Sequence, residues 1–198
     1  MTEKAALIFD CDGVLVDSEP ISNSVLCDQI NALGLCMTLD EVMHRYIGMT
    51  LDGVFADLER RLGRPLPDGW SAELDRIADL AFEERLEAIP GIIKAIDVLE
   101  RAGHRMAMAS NGRRVRFNES LRIVGLHDKF IDHRYSGTEF DRPKPAPDMF
   151  LAAAQGLGAD PASCIVIEDS LTGVRAARLA GMQVIHYAPH GPKAQAIG

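Results

Sequence analysis

Three short apolar runs in this chain each lead into polar residues that handle phosphate well. They are residues 7–9 before Asp10, residues 106–109 before Ser110, and residues 165–167 before the pair Glu168 and Asp169. In an open parallel sheet, ligands bind just outside the carboxyl ends of the strands, so three such ends in one sheet gather these side chains in one crevice. Carboxylates and a hydroxyl at one point suit phosphoryl transfer through a carboxylate nucleophile and a hard metal ion.

The acidic residues Asp10 and Asp12, followed by Gly13, supply two roles that the reaction of a phosphate ester needs. A carboxylate that attacks phosphorus forms an aspartyl phosphate, which divides one difficult displacement into two easier ones. The second carboxyl can protonate the leaving oxygen and later activate the hydrolytic water. The alternative interpretation is a strand-end turn with acidic residues at its surface, and this short motif taken alone does not decide between the two.

The segment Ser110-Asn111-Gly112 follows the second apolar run. It offers a hydroxyl and backbone N–H groups at the start of a helix, which together form a seat for an anion. The same segment is typical of an ordinary helix N-cap with turn residues, and taken alone it favours that interpretation. Arg113 and Arg114 come next, and they either reach a distal anionic group of a substrate or form a solvated pair on the first turn of the helix.

Lys144 lies between Pro143 and Pro145. Flanking prolines fix the local backbone, so this lysine is held on a stiff, extended segment. A rigid ammonium group aimed into a crevice would offset the charge that develops on a transferring phosphoryl group. Lysines between prolines also occur in plain surface turns, which is the alternative interpretation of this segment.

Glu168 and Asp169 place two adjacent acids at the end of the third run. Acidic groups beside a buried strand are costly unless they bind a cation or accept hydrogen bonds. Magnesium takes one or two protein carboxylates together with phosphate oxygens and water, which matches Asp10 with Asp169. The alternative role for Asp169 or Ser170 is to cap the next helix, and capping is compatible with metal binding.

The composition is that of an ordinary soluble globular protein with one good core and room for a small accessory domain. The 198 residues carry a formal net charge of −8, from 21 basic and 29 acidic residues, which argues against a nucleic-acid or membrane-surface partner. The four cysteines have neither disulfide nor zinc spacing and predict buried thiols in a reducing compartment. With no signal-peptide or membrane-span pattern, we expect a cytoplasmic protein, a monomer or a weak homodimer, that binds a small molecule.

After residue 90, short apolar runs alternate with helical patterns, which predicts right-handed βαβ units on a parallel sheet. The predicted strands are residues 5–9, 105–109, 164–167 and 183–187. Between residues 16 and 88 the pattern predicts four helices and no strand. The expected fold class is therefore α/β, with a doubly wound, Rossmann-like parallel core formed by residues 1–15 and 89–198. An all-helical domain, residues 16–88, is inserted after the first strand.

Taken in order along the chain, the segments that contain Asp10, Ser110, Lys144 and Glu168 resemble the four motifs of the haloacid dehalogenase-like superfamily of phosphotransferases. The resemblance covers essentially the whole chain, from residues 9–19 to Glu168 and Asp169. It implies that Asp10 is the nucleophile and Asp12 the general acid/base, while Ser110 and Lys144 hold the phosphate. It also implies a set of Mg²⁺ ligands: Asp10, the backbone carbonyl of Asp12, and Asp169 with Glu168 nearby.

The helical insertion resembles the cap domain of the branch that contains β-phosphoglucomutase, phosphoglycolate phosphatase and sugar-phosphate phosphatases. The amino-acid sequences of the motifs are most similar to those of bacterial 6-phosphogluconate phosphatase-like proteins. Residues 46–50, between two cap helices, form the predicted specificity loop, with a plain interhelical turn as the alternative. The predicted substrate-binding residues are Gly48 and Thr50 of this loop together with Asn111, Gly112 and Arg113 of the core.

Departures from the motifs of the relatives narrow the predicted reaction. The presence of Asp12 disfavours cleavage of carbon–halogen bonds, because the dehalogenases lack this second aspartate. β-Phosphoglucomutases carry a histidine in the first cap helix and basic residues around the loop glycine, where this chain has Ser22, Ile47 and Leu51. We therefore predict a Mg²⁺-dependent phosphatase of a small phosphorylated metabolite, a sugar or sugar-acid phosphate. A phosphosugar mutase and a non-catalytic binding protein with a relic site are the alternatives.

Overall fold

A five-stranded parallel sheet forms the centre of the computed structural model, which describes residues 4–46 and 49–188. The strands are β1 (Ala6–Phe9), β2 (Met106–Ser110), β3 (Arg134–Ser136), β4 (Cys164–Glu168) and β5 (Gln183–His186), in the order β3-β2-β1-β4-β5. Every neighbouring pair is parallel. The α/β fold with a parallel sheet is thus confirmed.

The central strand β1 is buried throughout because it lies between β2 and β4 and is covered on both faces. One face packs on the alanine-rich sides of two helices, α7 (Asp148–Gly156) and α8 (Leu171–Leu179). On the other face the Phe9 ring meets the Phe130 ring edge-on, with 5.9 Å between the centroids. Two further helices, α5 (Ile92–Arg101) and α6 (Arg114–Ile123), complete the βα repeat, and single 3-10 turns span His127–Phe130, Gly137–Glu139 and Pro161–Ser163.

The strand β3 is absent from the sequence-based prediction. It has only three residues, Arg134, Tyr135 and Ser136, and the first two are partly exposed. A strand this short and polar has neither the continuous apolar run nor the alternation that identifies strands in a sequence. Its pairing with β2 brings Ser136 opposite Ser110, which extends the site edge of the sheet by one strand.

The chain divides into two compact units, one running to Asp17 and resuming at Glu87, and the other covering Ser18–Leu86. The second unit contains the four helices α1 (Glu19–Ala32), α2 (Leu39–Tyr46), α3 (Leu51–Leu62) and α4 (Trp70–Arg85). The predicted absence of strands between residues 16 and 88 holds for the described part of this segment, apart from an isolated bridge between Val16 and Ala88. The assignment of the two units as catalytic core and cap stays a prediction.

Local capping explains where two of these helices begin. At the start of α2, the Glu41 carboxylate accepts from the backbone N–H of Thr38 at 2.7 Å, and the Thr38 hydroxyl accepts from the N–H of Glu41 at 3.3 Å. This reciprocal pair is a capping box, for which the sequence has the required spacing, a threonine followed three residues later by a glutamate. The Thr50 hydroxyl accepts from the N–H of Gly53 at 3.2 Å and begins α3 in the same way.

A buried carboxylate ties α2 to α3 within the helical unit. Arg45 binds Asp57 through two nitrogens, at 2.6 and 2.9 Å, while the Tyr46 hydroxyl donates to it at 3.0 Å and Arg60 lies at 2.8 Å. The Asp57 side chain is only 5% exposed, so these partners replace its water. The hydrogen bonds from Arg45 outweigh the effect of burial and hold the pKa of Asp57 well below its usual range.

Replacing Asp57 with Asn is expected to lower the free energy of unfolding by about 1–3 kcal/mol at pH 7, because a bidentate charge-assisted contact is lost. A carboxyl with a lowered folded-state pKa stabilises the fold above its unfolded pKa of about 3.9 and loses that effect as the pH falls further. The difference between the two proteins should therefore shrink as the pH is taken below about 4. Urea unfolding at several pH values measures both effects.

The matched control for this substitution is Glu73→Gln in the same unit. Glu73 pairs with Arg76 at 2.6 Å, but both side chains are about half exposed, and exposed pairs contribute little. Equal losses for the two substitutions would contradict the role given to the buried Asp57 cluster.

The four cysteines are free thiols in the structure. Cys11, Cys27 and Cys164 are buried, whereas Cys36 is exposed, so the prediction of burial is wrong for Cys36. It lies in the loop before α2, where no strand or helix covers it. Among the described residues, no helix combines the length and the apolar character needed to cross a membrane.

Candidate active site

Asp10 lies directly after β1 and remains held by the sheet. Its backbone N–H donates to the carbonyl of Ile167 in β4 at 2.9 Å, and the residue is 7% exposed. The chain then turns at Gly13, whose φ of 74° is in the left-handed region. A Cβ atom at Gly13 would lie 2.4 Å from Oδ2 of Asp169, so a glycine is needed for the turn to pass this second carboxylate. The pairing of β1 with β4 places the two strand ends side by side, and the turn at Gly13 passes close to Asp169.

The ammonium group of Lys144 lies at the centre of the site. It donates to Oδ1 of Asp10 at 2.7 Å, to Oε1 of Glu168 at 2.6 Å and to the carbonyl of Ala109 at 2.9 Å. The side chain is 3% exposed, and its Nζ also lies 4.8 Å from the centroid of the Phe150 ring. An ammonium has three protons to donate, and here each has an acceptor. Lys144 thus joins the ends of β1, β2 and β4.

Glu168 is fully buried and is held from both sides. Its Oε1 accepts from Lys144, while Oε2 accepts from the backbone N–H of Ser170 at 2.7 Å and from the Ser170 hydroxyl at 2.8 Å. The same hydroxyl caps α8 by accepting from the N–H of Gly173 at 3.1 Å. Ser170 therefore performs the predicted capping role and also orients a carboxylate of the site, which the sequence did not indicate.

Burial and charge act against each other in this cluster. Burial raises the pKa of the Asp10 carboxyl well above its usual range, although the Lys144 ammonium opposes that rise. Burial also lowers the pKa of Lys144, but the carboxylates of Asp10 and Glu168 outweigh it and raise that pKa overall. A carboxylate in this position depends on nearby cations to remain ionised, and Lys144 is one of them.

Three carboxylates of the site fit a hard divalent cation. One oxygen each from Asp10, Glu168 and Asp169 lies within 4.8 Å of the others, and oxygen donors of this kind are what Mg²⁺ takes. Both oxygens of Glu168 also accept hydrogen bonds from Lys144 and Ser170. The predicted ligand roles of Asp10, Glu168 and Asp169 are compatible with this cluster and stay predictions. The predicted ligand role of Asp12 stays a prediction.

The loop after β2 brings Ser110 and Asp12 near each other. Ser110 is 2% exposed, and its hydroxyl accepts from the backbone N–H of Gly112 at 3.0 Å. A Cβ atom on Gly112 would lie 3.3 Å from the Ser110 hydroxyl and 3.9 Å from Oδ2 of Asp12, so the Gly112 backbone lies beside both groups. Asp12 is exposed, in contrast to the buried Asp10. The two carboxyls thus differ in exposure, and their predicted arrangement around one substrate atom stays a prediction.

The structure places the predicted substrate-binding residues in different surroundings. Gly48 lies outside the described residues, and Thr50 caps α3 within the helical unit. Asn111 places its side-chain amide on the backbone of Lys144, which the sequence did not indicate. Arg113 is exposed at the N-cap position of α6, and its role stays a prediction. Arg114 forms an ion pair with Glu139 at 2.5 Å, in line with a structural contact rather than a ligand contact.

Ser136 is a site residue that the analysis of the sequence missed. It ends β3, is fully buried, and donates from its hydroxyl to the carbonyl of Gly112 at 2.7 Å. This bond ties the loop after β2 to the neighbouring strand. The signal available in the sequence was the pair Ser136-Gly137 ahead of Lys144, but without β3 it had no place in the sheet.

Comparison with known proteins settles the family of the chain. A family model described as haloacid dehalogenase-like hydrolase matches residues 4–181, which is most of the sequence. The chain belongs to the haloacid dehalogenase-like hydrolases. The family predicted from the four motifs is thereby confirmed.

Named relatives of this hydrolase include two phosphatases of Escherichia coli. The 6-phosphogluconate phosphatase is 30% identical over 194 residues, covering 96% of this chain and 86% of the relative. Hexitol phosphatase B is 29% identical over 185 residues, covering 91% and 82%. Family membership and these relatives confirm the prediction of a phosphoric monoester hydrolase.

A longer protein and a solved structure are also similar to this hydrolase. The Arabidopsis thaliana protein SUPPRESSOR OF QUENCHING 1 is 32% identical over 190 residues, which are 91% of this chain but only 17% of that protein. A crystal structure of a haloacid dehalogenase family hydrolase from Deinococcus radiodurans, with bound phosphate and sodium, is 35% identical with a TM-score of 0.78. It covers 91% of this chain and 79% of its own.

Proposed function

We propose that this hydrolase is a Mg²⁺-dependent phosphatase that acts on a sugar or sugar-acid phosphate through an aspartyl-phosphate intermediate. The observation that carries the proposal is the buried Asp10 carboxylate, held by the Lys144 ammonium among further carboxylates at one sheet edge. This arrangement supplies a fixed nucleophile together with the positive charge that a phosphate dianion requires.

The first half of the proposed reaction transfers the phosphoryl group to the protein. A carboxylate oxygen of Asp10 attacks phosphorus, and the bond between phosphorus and the alcohol oxygen breaks. Asp12, entering this step as the carboxylic acid, gives its proton to the departing oxygen. The Ser110 hydroxyl donates to an equatorial phosphate oxygen, and the positive charge of Lys144 stabilises the charge that develops on the phosphoryl group.

The second half releases phosphate and restores the site. Asp12, now a carboxylate, takes a proton from a water molecule whose oxygen attacks phosphorus. The bond from phosphorus to Asp10 breaks, so inorganic phosphate leaves, Asp10 is again a carboxylate and Asp12 is again protonated. Magnesium, held by Asp10 and Asp169, would supply further positive charge beside the phosphoryl oxygens in both halves.

The helical unit Ser18–Leu86 is proposed to act as the cap that selects the leaving alcohol. Closing such a unit over a reacting phosphate excludes bulk water and completes the site. The choice of sugar and sugar-acid phosphates follows from the two phosphatase relatives, whose names refer to a phosphorylated sugar acid and to hexitol phosphates.

Wild-type protein is expected to release inorganic phosphate from sugar, hexitol and sugar-acid phosphates with Mg²⁺, and to lose this activity with a chelator. The loss should be at least about 10²-fold, because the ion supplies several kcal/mol of charge stabilisation. Phosphate release is measured for a panel of esters, and addition of Mg²⁺ in excess of the chelator serves as the control. Isomerised product without free phosphate would indicate a mutase, while metal binding without any turnover would indicate a binding protein.

A further inference from the structure

The side-chain amide of Asn111 forms a two-point contact with the backbone of Lys144. The N–H of Lys144 donates to Oδ1 of Asn111 at 3.0 Å, and Nδ2 of Asn111 donates to the carbonyl of Lys144 at 3.2 Å. The N–H and the carbonyl of Lys144 belong to the peptide units on either side of its Cα, so two bonds from one planar amide restrain the backbone on both sides of that atom. Asn111 thus contacts Lys144 as a neighbouring strand would.

The backbone around Lys144 has few N–H donors, and the segment is also held by a hydrogen bond from the N–H of Ala146 to the carbonyl of Pro143 at 2.9 Å. Pro143 and Pro145 have no N–H to donate, so Lys144 supplies the sole N–H of these three residues. That one donor is used on Asn111, although the segment lies outside every strand and helix of the described chain. The backbone of Lys144 is therefore held at this point by a side chain.

The two ends of Lys144 are held by residues on either side of Ser110. Its Nζ donates to the carbonyl of Ala109, and its backbone pairs with the side chain of Asn111. Both the backbone and the ammonium of Lys144 are thus held in place relative to the end of β2. The Ser110 hydroxyl, which is proposed to bind phosphate, lies at the same strand end. A displacement of the backbone would move the ammonium relative to both Asp10 and Ser110.

The backbone of Gly137 lies close to Asn111. A Cβ atom at Gly137 would lie 2.6 Å from Oδ1 of Asn111, 2.9 Å from its Cα and 3.2 Å from Cβ of Pro143. The two distances to Asn111 are shorter than Cβ atoms of folded proteins adopt, so glycine is needed for the backbone to approach Asn111 this closely. Gly137 follows Ser136 at the end of β3, and the Ser136 hydroxyl donates a hydrogen bond to the carbonyl of Gly112. The end of β3 therefore contacts the same loop that carries Asn111.

We propose that Asn111 is a positioning residue that sets the Lys144 ammonium against Asp10 and the transferring phosphoryl group, rather than a residue that selects the substrate. This inference rests on the proposed phosphatase function. A misplacement of a charged group by about 1 Å can cost about 10²-fold in rate. Loss of Asn111 should therefore lower kcat for every ester by a similar factor, whatever its alcohol.

The test is a double-mutant cycle with Asn111→Ala, Lys144→Met and the combined variant, assayed on esters with different alcohols. Asn111→Ala is expected to lower kcat/KM about 10- to 100-fold in the wild-type background and less than about threefold once Lys144 is replaced. Equal losses in both backgrounds, or losses that differ strongly between esters, would overturn the proposal and indicate a direct substrate contact.

Two further variants separate positioning from general damage. Gly137→Ala should reproduce the Asn111→Ala defect, because it displaces the same amide without removing it. Asn118→Ala is the matched control. The Asn118 side chain accepts a hydrogen bond of 2.7 Å from Arg134, and this contact is not part of the site. The variant should therefore keep the wild-type kcat. A defect in Asn118→Ala as large as that in Asn111→Ala would remove the specific role of Asn111.

A measurement independent of turnover keeps this inference distinct from the proposed function. Hydrogen exchange of the Lys144 amide, followed by NMR with isotope-labelled lysine, should be slow in the wild type and at least about tenfold faster in Asn111→Ala. The amides of β2 should be unchanged. If the Lys144 amide exchanged equally fast in both proteins, the positioning role of Asn111 would be contradicted even in an active enzyme. If the wild type were inactive but its Lys144 amide were protected, only the proposed phosphatase function would be contradicted.

Discussion

Replacing Lys144 with Met is expected to lower both the turnover number and the free energy of unfolding. Methionine keeps an unbranched stem on Phe150 but supplies no cation, so Asp10 and Glu168 remain buried beside each other without their shared partner. Removing one member of a buried ion pair costs about 3–5 kcal/mol in the free energy of unfolding. The turnover number should also fall about 10²- to 10³-fold, since a preorganised positive charge beside the phosphoryl group is lost.

Lys129→Met is the matched control for this prediction. Lys129 also contacts two carboxylates, Asp97 at 2.9 Å and Glu100 at 2.6 Å, but its side chain is 27% exposed and it lies away from the site. Water replaces a partner at such a position, so kcat should be unchanged and the change in stability slight. Urea unfolding and phosphate release on both variants make the comparison. If Lys144→Met were as stable and active as Lys129→Met, the central place given to Lys144 would be wrong.

Replacing Asp10 with Asn is expected to abolish turnover while the fold is retained. The amide has the size of the carboxylate and its oxygen still accepts from Lys144, so packing and the cluster of hydrogen bonds persist. An amide is a poor nucleophile, and loss of a covalent catalyst of this kind lowers kcat by at least about 10³-fold. Phosphate release measures the loss, and thermal unfolding verifies that the protein remains folded.

Asp160→Asn serves as the control for the removal of a carboxylate. Asp160 caps the turn at Pro161–Ser163, accepting from the N–H of Ala162 at 2.8 Å. It precedes β4 and so lies toward the opposite end of that strand from Glu168. This variant should keep its activity. Substantial turnover by Asp10→Asn, equal to that of the control, would exclude Asp10 as the nucleophile.

The sequence predicts the chemistry of the strand ends because strand position and side-chain type act together. Asp10, Ser110 and Glu168 each follow or end an apolar run, and the parallel topology brings those ends to one edge. Helix starts were equally accessible, since the Thr38–Glu41 capping box and the Thr50 cap depend on residues only three positions apart. Helix-capping patterns, together with the rule that parallel strands end at the same edge of a sheet, are sufficient to predict these helix starts and the location of the site.

The contacts of Lys144 and Asn111 could not be predicted in the same way. Lys144 meets Asp10 across 134 residues and Asn111 across 33, and neither pairing leaves a periodic signal. The sequence predicts a metal role for Glu168 and a substrate role for Asn111, and both stay predictions. What it did not indicate is that both residues also contact Lys144. A polar residue at a strand end is identifiable from the sequence, but its partner is fixed only by the tertiary fold.

The most direct test of the proposed reaction is to trap the phosphorylated protein with borohydride during turnover. Reduction of an aspartyl phosphate converts that residue to homoserine, which peptide mass spectrometry locates in the chain. Wild type and Asp12→Asn, each with Mg²⁺ and a turned-over ester, are predicted to carry the change at residue 10 and nowhere else, and omission of the ester should prevent it. Continued phosphate release with Asp10 unmodified, or modification at another carboxylate, would contradict the proposed role of Asp10.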